Sequence, residues 1–173
     1  MRVSTFFRMS ASLLALVIAA GCADAANPNS GDGLLPTLTE AGFYPLLSAS
    51  AAGEQSTVTL SLKQVPGGIE LASVQGEIEY DASLLQLSRA TLPEGLEGDA
   101  EEVSPGRVRF VGTLVQGATE TPLLRLEFRG RDKPVALARG MFQVRFEEVT
   151  GGAEMADLTG TVRSDQLLFL RSR

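Results

Sequence analysis

From Thr57 onward apolar and polar residues alternate with a period of two, and this constrains the fold more than any other feature of the chain. A period of two sends successive side chains to opposite faces, so each segment offers one face to a core and one to water, as antiparallel strands do. Val58, Leu60 and Leu62 oppose Thr57, Thr59, Ser61 and Lys63, and Val74, Ile78 and Tyr80 oppose Gln75, Glu77 and Glu79. Val108, Phe110 and Leu114 oppose Arg107, Arg109 and Thr113, with Gly112 placed at a bulge. Further on, Leu124, Leu126 and Phe128 oppose Arg125, Glu127 and Arg129, and Phe142, Val144 and Phe146 oppose Gln143, Arg145 and Glu147. Short segments at 134–138, 158–163 and 166–170 bring the set to about eight or nine strands, separated by Gly, Pro, Asp and Asn clusters. The predicted fold is therefore all-β, an antiparallel β-sandwich or jelly roll.

The amino-terminal region has a different character. Arg2 and Arg8 precede an apolar run from Ala11 to Ala20, followed by Gly21 and Cys22. The run is shorter than the roughly 20 apolar residues a stable transmembrane helix needs, so cleavage is expected. This pattern resembles a bacterial lipoprotein signal. The resemblance implies a diacylglyceryl thioether on Cys22, cleavage before it and acylation of the new terminus, each buried methylene adding about 0.8 kcal/mol to membrane binding. Ala23 follows Cys22, and resemblance to lipoproteins of two-membrane bacteria implies that the absence of Asp at this position permits export to the outer membrane. A competing cut after Ala23-Asp24-Ala25 would release a soluble protein instead.

The predicted organisation is a signal over 1–21, a lipid-anchored tether over 22–55 and one globular domain over 56–173. The tether is rich in Ala, Ser, Gly, Asn and Pro, and its apolar island from Leu34 to Leu47 is expected to dock on the domain or to meet another envelope protein. Without residues 1–21, 152 residues remain, with 13 basic and 21 acidic side chains and a net charge of −8. Such a balance argues against nucleic-acid binding, which needs clustered Lys and Arg.

The chain has no histidine and a single cysteine, Cys22. Histidine-dependent triads, cysteine nucleophiles, thiolate metal sites and disulfides are thereby excluded for a chain acylated at Cys22. Neither paired carboxylates nor Ser with Lys shows a motif spacing, and no phosphate-binding glycine loop is present, so no enzyme activity, cofactor or metal is predicted. Glu97, Asp99, Glu101 and Glu102 form the densest acidic cluster, placed in a Gly- and Pro-rich loop and read as solvated surface ahead of a calcium site or an acid–base pair.

One string in the globular part is diagnostic: Gly76-Glu77-Ile78-Glu79-Tyr80-Asp81-Ala82-Ser83-Leu84-Leu85-Gln86-Leu87. Tyr80 is suited to fill the end of a sandwich and Asp81 to cap a turn, while Leu84, Leu85 and Leu87 anchor the corner into the next strand. Together with Gly106–Val111 and Thr121–Gly130, the string resembles the cohesin domain, over roughly Ser56 to Leu170. Cohesins bind dockerin modules through one exposed sheet face. The resemblance implies a non-enzymatic envelope lipoprotein whose partner is a dockerin-like module or another envelope protein. Matching strand to strand puts Glu77, Glu79, Arg109, Arg125, Glu127 and Arg145 on the binding face. A single unit without repeats departs from a cellulosome scaffold. Polysaccharide binding is the alternative, ranked lower because the chain has no Trp, only Tyr44 and Tyr80 as tyrosines, and strand phenylalanines at inward positions.

Overall fold

The computed structural model describes residues 38–118, 122–152 and 154–171. The expected signal segment, Cys22 and the expected tether up to residue 37 lie outside the described residues. Among the described residues ten strands form two five-stranded sheets. Sheet A has the order β10-β1-β2-β7-β4, from β10 (Leu168–Arg171), β1 (Gly42–Ala52), β2 (Gln55–Val65), β7 (Pro122–Gly130) and β4 (Leu85–Thr91). Sheet B has the order β5-β6-β3-β8-β9, from β5 (Leu96–Ser104), β6 (Arg107–Ala118), β3 (Leu71–Tyr80), β8 (Phe142–Gly151) and β9 (Ala156–Asp157). Every ladder is antiparallel except β1 with β10.

The inward residues of the alternating segments meet between the sheets. Val58, Leu60, Leu62, Ile78, Val108, Phe110, Leu126 and Phe128 are at most 1% exposed and belong to one core cluster. Burial of each such side chain contributes about 1.5–3 kcal/mol. Rings set the ends of this core: Phe128 takes the edge of Tyr80 at 4.9 Å and lies 5.9 Å from Phe142, and Phe110 meets Phe146 edge-on at 5.8 Å.

The corner after β3 forms as its residues dictate. Asp81 Oδ1 accepts from the Ser83 N–H at 2.9 Å and from the Ser83 hydroxyl at 2.5 Å, while the Leu84 and Leu85 N–H groups donate to the Asp81 carbonyl. The Ser83 hydroxyl, and then its N–H, holds the Asp81 carboxyl below its ordinary range. Leu85 is buried at the corner and Leu87 packs against the core, but the Leu84 residue is 40% exposed and lies outside the core cluster.

Five expectations need correction. The domain boundary at 56 falls too late, because residues 42–52 of the expected tether form β1, an interior strand of sheet A. The acidic loop around Glu97 is strand β5. Segment 158–163 turns instead of extending: Asp157 Oδ1 accepts from the Thr159 N–H and the Thr161 hydroxyl bonds the Leu158 carbonyl, local bonds that compete with a ladder. Segment 134–138 opens on Pro134, which has no N–H for a ladder, and stays outside both sheets. Gly112, expected at a bulge, is in register with Val74 and Gly98, and a Cβ there would meet Leu96 at 2.7 Å.

Candidate protein-binding face

The outer surface of sheet B is built from the polar halves of four alternating strands. Its rows follow the register. Glu101, Arg109, Glu77 and Arg145 lie side by side across β5, β6, β3 and β8. Ser104, Arg107, Glu79 and Gln143 make the adjoining row, and Asp99, Val111, Gln75 and Glu148 the next. Seven acids, including Glu97 and Glu147, and three arginines thus point outward from one nearly continuous face.

Glu77 is the hub of this surface, its side chain only 11% exposed. It accepts from Arg107 Nε at 2.9 Å and Nη2 at 2.6 Å, a two-pronged contact that fixes the guanidinium. This bond, more than the attraction of the charge, raises the Arg107 pKa. Arg109 reaches Glu147 at 3.6 Å, and Gln75 donates to the same carboxylate at 2.6 Å. Arg145 has no ion pair within 4.0 Å among the described residues. Exposed pairs of this kind contribute only about 0–1 kcal/mol each to stability, so a partner can exchange them at little loss to the fold.

The sequence-derived set divides here. Glu77, Glu79, Arg109 and Arg145 come together on sheet B. Arg125 and Glu127 do not join them: β7 pairs with β2 and β4, which puts both on the outer face of sheet A, 3.6 Å from each other. Alternation tells inward from outward but not which sheet a strand enters. Arg107, Val111, Asp99 and Glu101 share the sheet B face and are additions to the set. Val111, 46% exposed, is its apolar point.

Beneath this face, the hairpin of β5 and β6 is pinned to β3. The Tyr80 hydroxyl donates to Glu102, whose Oε1 also accepts from the Gly106 N–H at 3.3 Å. Gly106 turns at φ +88°, and the Tyr80 N–H bonds its carbonyl at 2.8 Å. Burial, then the bond to Glu102, pushes the Tyr80 hydroxyl up to about 12 from its ordinary 10.0. A raised folded-state pKa means that the stabilisation is complete below pH 10 and is lost as pH rises through about 12. Denaturant titrations at successive alkaline pH values should therefore show a steeper fall for the native chain than for Tyr80→Phe; superimposable curves would remove the role given to this hydroxyl.

A groove of about 250 Å³ opens at one end of the sandwich, between Phe43, Val65, Pro66, Ile69 and Leu158. Among the described residues no ionisable side chain lines it. On β5 the acids Glu97, Asp99 and Glu101 stand on alternate residues, roughly 7 Å apart along the strand. Among the described residues no group of three Asp, Glu, Cys or His converges as metal ligands would.

No family model and no curated protein matches this chain. Solved structures do. The fold is similar to a cohesin module of a family 33 glycoside hydrolase from Clostridium perfringens, with TM-score 0.50, 14% identity, and 77% of this chain covered against 100% of that one. It is similar also to the sixth cohesin of scaffoldin B from Acetivibrio cellulolyticus, solved with a mutant Cel5 dockerin, at TM-score 0.52, 15% identity and coverage of 76% and 99%. A type I cohesin–dockerin complex from Clostridium thermocellum gives TM-score 0.53, 13% identity and coverage of 76% and 99%. The architecture is a cohesin-like β-sandwich.

Proposed function

We propose that this chain is a non-enzymatic binding module that captures a protein partner on the outer face of sheet B, and that a lipid on Cys22 holds it to the bacterial envelope, at the outer membrane. The observation that carries the binding reading is the face itself. Four strands present interleaved carboxylates and arginines on a surface that no helix or loop of the described chain covers, around an exposed valine. Mixed charge in a fixed register favours one docking orientation and rejects partners with the wrong pattern. The similar solved cohesins include two determined with dockerins, which supports a dockerin-like module as the class of partner. Polysaccharide is the weaker reading, since sugar platforms stack on open rings and the described aromatic residues are buried or half-buried.

The test is affinity capture from envelope extract with the full chain, identification of the retained protein, and calorimetric titration with that protein once purified. Reversing Arg109→Glu and Glu79→Arg together is expected to weaken the interaction by about 2 kcal/mol or more, through lost pairing and introduced repulsion. Equal affinity of the reversed and native chains would sink the face assignment. Intact mass of the membrane-extracted protein tests the anchor: acyl mass on a chain starting at Cys22 supports it, and an unmodified start at Ala26 refutes it.

A further inference from the structure

Charge is segregated between the two outer faces. Sheet B carries seven acids and three arginines outward, a net −4, whereas the outer face of sheet A carries Lys63, Arg89, Arg125 and Arg129 against Glu127 alone, a net +3. The basic residues surround that one carboxylate: Arg89 is in register with Glu127 across β4, and Arg125 and Arg129 lie two residues away on β7. Only Arg125 pairs with it, at 3.6 Å; Lys63, Arg89 and Arg129 have no carboxylate within 4.0 Å among the described residues. Thr57, Thr59 and Ser61 stand beside them on β2, adding hydroxyl donors. This face is basic although the chain as a whole carries a net charge of −6. The two faces also act separately, because packed sheets lie about 10 Å apart, which already exceeds a Debye length of about 8 Å at physiological ionic strength.

We infer that the outer face of sheet A docks on the phosphate headgroups of an anionic bilayer through Lys63, Arg89, Arg125 and Arg129. Guanidinium groups match phosphate oxygens in pairs, and each basic side chain near such a surface adds to binding. The inference rests on the anchoring reading for its setting. Nineteen residues lie between Cys22 and Gly42, the first residue of β1, so the sandwich stays within at most roughly 70 Å of its lipid. Docking by sheet A turns the acidic face of sheet B away from the membrane, toward a partner. The surface thus orients the module as well as holding it.

The experiment places a fluorescent thiol probe at Thr59→Cys, on the outer face of sheet A, or at Val111→Cys, on that of sheet B, in the full chain. Vesicles of neutral phosphatidylcholine, or of the same lipid with phosphatidylglycerol, carry a headgroup quencher. On the anionic vesicles the Thr59 probe should be quenched several-fold more than the Val111 probe. High salt, or Arg125→Glu with Arg129→Glu, should abolish the difference. Equal quenching of the two probes, or the same Thr59 quenching on neutral vesicles, overturns the proposal. Failure of the chain to sediment with neutral vesicles refutes the anchor instead; docking is then decided by sedimentation with anionic vesicles, expected to weaken by roughly a hundred-fold on the double reversal. Salt-sensitive oligomers without vesicles, lost in the same double variant, would assign the basic face to the acidic face of a second copy and likewise overturn it.

Discussion

A chain that begins at Ser56 is expected not to fold, whereas one that begins at Leu38 is expected to unfold in a single cooperative transition. The reason is β1. It pairs with β2 over 11 residues and is, among the described residues, the sole ladder partner of β10, so its removal strips one side of sheet A and leaves β10 unjoined to the rest of that described sheet. Phe43, Leu47 and Ala49 on its inner side are at most 3% exposed and belong to the core. Losing Phe43 and Leu47 alone forfeits about 1.5–3 kcal/mol each. The lost ladder comes on top, against a total stability on the order of 5–15 kcal/mol for a domain. Circular dichroism during denaturation and the spread of amide proton shifts would distinguish the two chains. A cooperative transition at an unchanged midpoint for the shorter one would show that β1 is an accessory.

That strand was hidden for a physical reason. Phe43, Pro45 and Leu47 turn inward, but the outward positions beside them hold Tyr44 and Leu46, so the first half of the strand is apolar on both faces and only the short stretch from Leu47 to Ser50 alternates. Pro45 also lowers any strand reading, since proline cannot donate to a ladder. Tyr44 is 1% exposed with its hydroxyl bonded to the Glu40 carbonyl at 2.8 Å, a burial that period counting cannot anticipate. Strand β5 was hidden differently. Its inward positions are Leu96, Gly98 and Ala100, so the alternation is present but written in small residues against Glu97, Asp99 and Glu101. An acidic edge of this kind also blunts pairing with other chains.

The corner at Tyr80-Asp81 was legible because its bonds are local, between residues two to four apart. The candidate face was legible only in halves. Each strand announces its outward residues, yet the joining of β3, β6 and β8, and the exile of β7 to the other sheet, depend on pairings between residues 28 to 80 positions apart. Nothing in a period of two carries that information. Arg125 and Glu127 were misplaced for this reason, while their outward orientation was right.

Two glycine-to-alanine changes, identical in chemistry, are expected to have opposite outcomes. Gly76 lies in the middle of β3, next to the point where the β3–β8 register shifts. A Cβ there would stand 2.5 Å from the Arg145 carbonyl oxygen and 2.9 Å from Phe110 Cζ. The first obstacle is backbone held in a ladder, and the second is a ring that is 0% exposed and wedged edge-on against Phe146, so neither yields without moving the core. Overpacking of this kind costs about 3 kcal/mol, the upper part of its usual range, and a large share of the whole stability. Gly140 sits in the 3-10 turn Arg139–Met141, where an added Cβ meets nothing within 4 Å. Its replacement is expected to be neutral, or stabilising by about 0.4–1 kcal/mol through the reduced freedom of the unfolded chain. Urea midpoints at constant slope should fall sharply for Gly76→Ala and hold or rise for Gly140→Ala. A tolerated Gly76→Ala would mean that β8 does not approach β3 as closely as described, and the rows that bring Arg145 beside Glu77 would lose their basis.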